Sequence, residues 1–187
     1  MVGEVADLTN GVLYTIEGDG LNATLSYASA VPIVGWVSAG TKFGLMVITT
    51  ATGKTKLVWK LVNGTYEFGS RGQLRKILNI TSASIQAHHI MPWAKSTHEV
   101  IQRAAKLGVN PFHMNSALNG IAVAAWRNQP NHFAYDNLII KKLNRFYELN
   151  PNATPKECYD FVTDLIGDIK QWIINNPNSH LNDLVLP

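Results

Sequence analysis

The rhythm of apolar and polar positions changes several times along the chain, and each change marks an expected element. Residues 21 to 50, LNATLSYASAVPIVGWVSAGTKFGLMVITT, are apolar but built on small side chains, and they predict two closely packed helices broken near Pro32 and Gly35. The run KLVWKLVNGTYEF sets two β-prone stretches around Asn63-Gly64, the pair expected in a tight type I′ hairpin. A short helix over Gln73 to Leu78 comes next, and SIQAHHIM reads as a strand.

Further on, Ser96 with Glu99 three residues later forms a capping-box pattern, predicting a helix that runs to about Leu107 and stops at Gly108. A loop then enters a short strand at Gly120 to Val123. From about His132 to Leu149, Tyr135, Leu138, Ile139, Leu143 and Phe146 recur at helical spacing. A last helix begins at Thr154-Pro155, with Glu157 closing a second box, and ends before Pro177. Its stripe of Phe161, Val162, Leu165, Ile169, Trp172 and Ile173 is a core-facing surface. The pattern predicts an α+β, mostly helical chain in two parts: residues 1 to 68, a helical segment with a β-hairpin, and residues 69 to 187, the part that holds the chemistry.

Composition narrows this picture. With 187 residues, 46% apolar and 16% charged, the chain can bury a core. One cysteine, Cys158, excludes an internal disulfide and any paired-cysteine zinc cluster, so a metal would be held by His, Asp, Asn or water. Residues 1 to 10 carry Glu4 and Asp7 and lack a basic start followed by an apolar stretch, so export would need a device other than a signal peptide. Pro32, Gly35, Gly40, Lys42 and Gly44 interrupt every apolar run before it reaches the roughly 18 residues a spanning helix needs, and no stable membrane insertion is expected.

Charge is distributed unevenly. Residues 71 to 155 carry ten basic and three acidic side chains (+7), whereas residues 1 to 70 and 156 to 187 stand at −1 and −3. Such a basic centre suits either a polyanion-binding surface or a solvated one.

The basic centre surrounds AHHIMPW, residues 87 to 93. Neighbouring strand residues point to opposite faces, so adjacent His88 and His89 are suited to two separate roles. A strand ending in two histidines, a second strand preceded by Asn119 and a helix opening at His132 make a ββα arrangement in which these side chains converge. Cutting a phosphodiester calls for a base to deprotonate water and a cation to neutralise the phosphate. One imidazole can turn toward a metal while the other stays uncoordinated, its tautomer fixed by an asparagine amide.

AHHIMPW, then HMNSALNGIAV, then NHFAYDN, taken in this order, resemble the AHH nucleases of the His-Me finger (HNH/endonuclease VII) superfamily, which are C-terminal toxin domains of bacterial polymorphic toxins, including effectors of contractile and type VI secretion systems. The resemblance covers about residues 71 to 176, and the N-terminal segment is similar to the pre-toxin regions that precede such domains. It implies that His89 is the general base, that His88 and His132 are metal ligands, and that Asn119 orients the base or pins the finger loop. It further implies one divalent ion, Mg²⁺ first, with Zn²⁺, Ni²⁺ or Mn²⁺ as alternatives; delivery by a secretion system as part of a larger effector; and action on DNA in the cytoplasm of a target cell. An acidic immunity protein covering the +7 surface is the implied partner. The chain departs from a minimal finger by the thirty positions between His89 and Asn119, leaving open whether His113 is a third ligand or a phosphate contact, and what His98 and Asn115 do.

Arg127, between the second strand and the helix, is the candidate phosphate clamp, with Arg71, Arg75, Lys76 and Lys95 as weaker ones. Tyr135, one turn after His132, is either a phosphate contact or a core or helix-surface residue. Three rival readings remain: an RNase toxin, a nucleic-acid-binding module with a structural metal and no catalysis, and a membrane-active toxin working through residues 21 to 52.

Overall fold

The structure is a computed structural model that describes the backbone of residues 33–38, 41–50, 53–106 and 111–186, with side chains described from residue 57 onward in those stretches. Its first sheet is an antiparallel meander of β1 (Ile33–Ser38), β2 (Thr41–Thr50), β3 (Gly53–Val62) and β4 (Thr65–Glu67), neighbours in that order. The second of the two expected small-residue helices is therefore wrong: from Ile33 the chain is strand. Residues 21–32, where the first was expected, lie outside the described residues. The physical reason is visible in β2, which closes on Val47, Ile48, Thr49 and Thr50, side chains stiff at χ1 that favour a pleated surface, while Gly35 and Gly44 weaken any helix through the same stretch. A partner then decides it, since β2 pairs with β3 in unbroken register from Lys42↔Leu61 to Thr50↔Gly53. Among the described residues no helix is long and apolar enough to cross a membrane.

The turn between β3 and β4 is as expected, with Asn63 at φ 49° and Gly64 at φ 80°. The hairpin shares its core with the later elements. Leu57, Trp59 and Phe68 are buried together with Ile90, Met91, Ile101 and Phe112, and Trp59 Nε1 donates to Phe112 O at 3.2 Å. Packing is thus continuous across position 68.

Helix α1 (Gln73–Ile77) leads to β5 (Ile85–His89). A 3₁₀ turn at Trp93–Lys95 precedes α2 (Glu99–Ala104), and β6 (Gly120–Ala124) pairs antiparallel with β5, His88 opposite Ile121 and His89 opposite Gly120. Gly120 lets α1 lean on this ribbon, because a Cβ there would lie 2.6 Å from Leu74 Cδ1. The box expected at Ser96 does not form. The 3₁₀ turn engages Ser96, whose N–H donates to Trp93 O, and the cap moves to His98, whose Nδ1 accepts from Val100 N–H at 3.2 Å. The helix ends at Ala104, ahead of the expected Leu107.

The two long helices are α3 (Phe133–Leu149) and α4 (Pro155–Asn175). Thr154 and Glu157 form the expected reciprocal box at the start of α4, with Thr154 N–H donating to Glu157 Oε2 at 2.7 Å. Val162, Leu165, Ile166, Ile169 and Ile173 line its buried face, against which α2 packs, and α3 contributes Tyr135, Ile139 and Leu143.

Candidate active site

Strand β5 sends its two histidines to different neighbours, as strand geometry requires. His88 meets the His132 ring edge-on at 5.4 Å between centroids and the Tyr135 ring at 4.9 Å. His89 meets Trp93 at 5.3 Å and Asn115 at hydrogen-bond distance.

On the His88 side, two buried polar atoms have no partner: His88 Nε2 and Asn128 Oδ1. The Asn128 amide is turned by its own Nδ2, which donates to Gln86 Oε1 at 2.7 Å. Burial, together with the nearby His132, His89 and Arg71, lowers the His88 pKa from 6.5 to about 3; Asn128 opposes that shift but does not reach hydrogen-bond geometry with the ring. His88 is therefore neutral at physiological pH and offers a lone pair. His132, the N-terminal flank of α3, directs Nδ1 at Asp136 Oδ1, 3.0 Å away, which leaves Nε2 as its second donor atom. A carboxylate behind an imidazole in this way is the arrangement that fixes the ring of a metal-ligating histidine.

Among the described residues no group of three or more His, Cys, Asp or Glu is placed to hold a metal ion. The donor set at this point is instead two imidazole nitrogens and one amide oxygen, two of the three orphaned. Those atoms fit a divalent cation better than they fit apolar packing, because an unpartnered buried acceptor is costly.

On the His89 side the hydrogen bonds determine a tautomer. Asn115 Nδ2 has three acceptors, Phe68 O at 3.2 Å, Ser70 O at 2.9 Å and Gln73 Oε1 at 3.1 Å, so its Oδ1 must be the atom facing His89. His89 Nε2 then carries the proton and donates to Asn115 Oδ1 at 3.0 Å, and Nδ1 carries the lone pair. Burial lowers the His89 pKa to about 4 against the opposing Asn115 bond, with Arg71 adding to the decrease.

Asn119 serves a different purpose. Its Oδ1 accepts from Met91 N–H at 2.6 Å, and its Nδ2 donates to Met91 O and Met114 O, tying the loop to the end of β5. Of the two roles expected for Asn119, the geometry matches loop pinning; the residue at the histidine is Asn115.

Two further expectations, for Arg127 and His113, are corrected, and the open one at Tyr135 resolves to core. Arg127 is buried, and its guanidinium donates to Ser179 O, Ile173 O and Asn176 O, capping the carbonyl end of α4, so it cannot clamp a phosphate. His113 has both nitrogens engaged, Nδ1 accepting from Asn115 N–H at 2.9 Å and Nε2 donating to Val58 O at 3.3 Å, which leaves no lone pair for a metal. Tyr135 is fully buried, donates its hydroxyl to Ile90 O at 2.7 Å and backs the His88 and His132 rings.

The stretch bearing Asn128 and His132 is held from behind. His180 Nε2 donates to Gln129 O, Asn182 Nδ2 donates to Asn131 O, and Asn182 Oδ1 accepts from the first amides of α3, Ala134 and Tyr135. Sequence reading missed this bracket and Asn128 alike; a paired His180 and Asp183, which form a small capping box, were the available sign.

A cleft of about 700 Å³ opens here, and His89, Asn128, His132, Asp136, Arg71 and Arg75 are among the residues that line it. Arg75 is tied to Ile85 O and Ser82 O, whereas Arg71 is exposed and its charge is felt at both histidines. Lys76 and Lys95 do not line the cleft. No protein-family model, curated protein or solved structure matches the chain.

Proposed function

We propose that the protein is a metal-dependent endonuclease toxin that hydrolyses DNA, with β5, β6 and α3 as a ββα-metal finger. The observation that carries this reading is the divergence of His88 and His89: one ring joins His132 and the orphaned Asn128 oxygen, and the other is held in a single tautomer on the cleft wall.

His88, His132 and Asn128 would hold one divalent ion, Mg²⁺ in the first instance, which supplies positive charge against the phosphate oxygens and the departing 3′ oxygen. His89 Nδ1, unprotonated at neutral pH, takes a proton from a water as that water's oxygen bonds to phosphorus. The bond from phosphorus to the 3′ oxygen breaks, and solvent returns a proton to the leaving group. Asn115 keeps the His89 proton on Nε2 throughout. Arg71 neutralises a phosphate oxygen at the mouth of the cleft.

The same basic rim is the surface an acidic immunity protein would cover, and it accords with the resemblance to toxin domains that secretion systems inject into a target cell. Plasmid incubated with purified protein should be nicked or degraded with Mg²⁺ and remain intact with EDTA. The His132→Ala variant should need more metal for the same rate. If plasmid stays whole with every ion while RNA is cut, the substrate assignment changes; if both stay whole, the catalytic reading fails.

A further inference from the structure

We infer that a second groove, lined by the Trp93 ring that packs on His89, receives an unpaired nucleobase of the strand being cut; this rests on the nuclease reading. The groove has a volume of about 530 Å³ and is lined by Trp93, Tyr66, Lys60, Ser96 and Glu67, among others. It shares no lining residue with the cleft, but two of its residues reach His89. Trp93 touches the His89 ring, and Gln73, on the groove wall, accepts from the Asn115 amide that orients that ring. A base seated against Trp93 therefore belongs to a nucleotide next to the phosphate at His89.

The chemistry of the lining suits that occupant. Trp93 and Tyr66 are half-buried and present aromatic surface, and among the described residues neither the indole N–H nor the phenol hydroxyl has a hydrogen-bond partner. Lys60 is exposed, with no ion pair among the described residues. Stacking surface, free donors, one carboxylate and one cation together match a base with its acceptor and amino edges and a neighbouring phosphate. A duplex keeps its bases stacked inside, so the groove favours single-stranded or locally opened substrate.

The test uses the whole chain in EDTA, where binding is read without cleavage, and a fluorescein-labelled mixed-sequence single-stranded hexanucleotide beside a duplex of matched sequence. Trp93→Ala should weaken single-strand binding roughly 5- to 100-fold, Trp93→Phe should restore most of it, and duplex binding should change little. Lys60→Ala with Tyr66→Ala, away from His89, should act in the same direction and guards against misfolding of the Trp93 variant. Equal loss for both probes, or no loss in either variant, overturns the groove. Single-strand binding that depends on Trp93, in a protein that cuts nothing when Mg²⁺ is restored, leaves the groove standing and removes the nuclease.

Discussion

Two irregular stretches enter the site, and they follow opposite rules. Between Phe112 and Asn119 the side chains of His113, Asn115 and Asn119 are matched donor to acceptor. Between Arg127 and His132 the chain is gripped as firmly, by Arg127, His180 and Asn182, yet it leaves Asn128 Oδ1 without a partner beside an equally bare His88 Nε2. The first stretch positions; the second leaves an acceptor unmatched. Buried polar groups left unmatched are rare because they are destabilising, so two neighbouring ones, Asn128 Oδ1 on this stretch and His88 Nε2 on β5, are the atoms a bound ion would satisfy.

The comparison breaks first at His89. Replacing it with Ala should slow plasmid cleavage by roughly 10²- to 10⁴-fold per folded molecule, while circular dichroism stays native and stability falls by about 1–3 kcal/mol as buried Asn115 Oδ1 loses its donor. Activity within a few-fold of the parent would remove His89 as the base.

Next, Arg127→Ala should cost about 3 kcal/mol of stability, because three carbonyls at the end of α4 lose a charged donor. Urea unfolding reads this directly, and the rate per folded molecule should fall far less than in His89→Ala. A stability unchanged by the substitution would show that the cap is dispensable.

Acid should expose the matched stretch. Burial holds His113 near pKa 4 when folded, against 6.5 when unfolded, so between those values the unfolded chain binds more protons. The stabilising contribution is complete above about pH 6.5 and is lost as pH falls toward 4, by about 3 kcal/mol at most. His88 and His89 shift in the same direction. A urea midpoint that does not move between pH 7.5 and 5 would contradict these neutral rings.

The finest distinction concerns Asn128. Asn128→Ala should weaken Mn²⁺ or Ni²⁺ binding by about 10- to 100-fold, while stability should fall by only about 1 kcal/mol, because its oxygen is unbonded and the Nδ2 bond to Gln86 is all that folding loses. Calorimetric titration giving equal affinity would place the ion elsewhere.

The long helices were legible because their signals are local: Thr154, Pro155 and Glu157 within four positions, and apolar side chains every third or fourth residue in α3 and α4. Asn63-Gly64 announced its hairpin for the same reason. Strands β1 and β2 were misread because small residues and glycines leave the period ambiguous, and only pairing with β3 resolves it. In the site, the histidines stood out by their adjacency. Arg127 misled because a lone arginine looks alike whether it meets a phosphate or carbonyls at and just past the end of a helix, 46 to 52 positions away. Asn115 and Asn119 could not be told apart either, since both lie in one loop and only the folded backbone shows which amide faces the ring.

The three acceptors of Asn115 Nδ2 include the carbonyls of Phe68 and Ser70, in the segment that joins β4 to α1. A molecule that pried this segment away from the loop would free the amide to turn over and present its nitrogen to His89. The ring would then relocate its proton from Nε2 to Nδ1, and the proposed base would be blocked. An inhibitor of this kind would work from outside, leaving the cleft open and His88, Asn128 and His132 in place, so competition assays against nucleic acid would miss it.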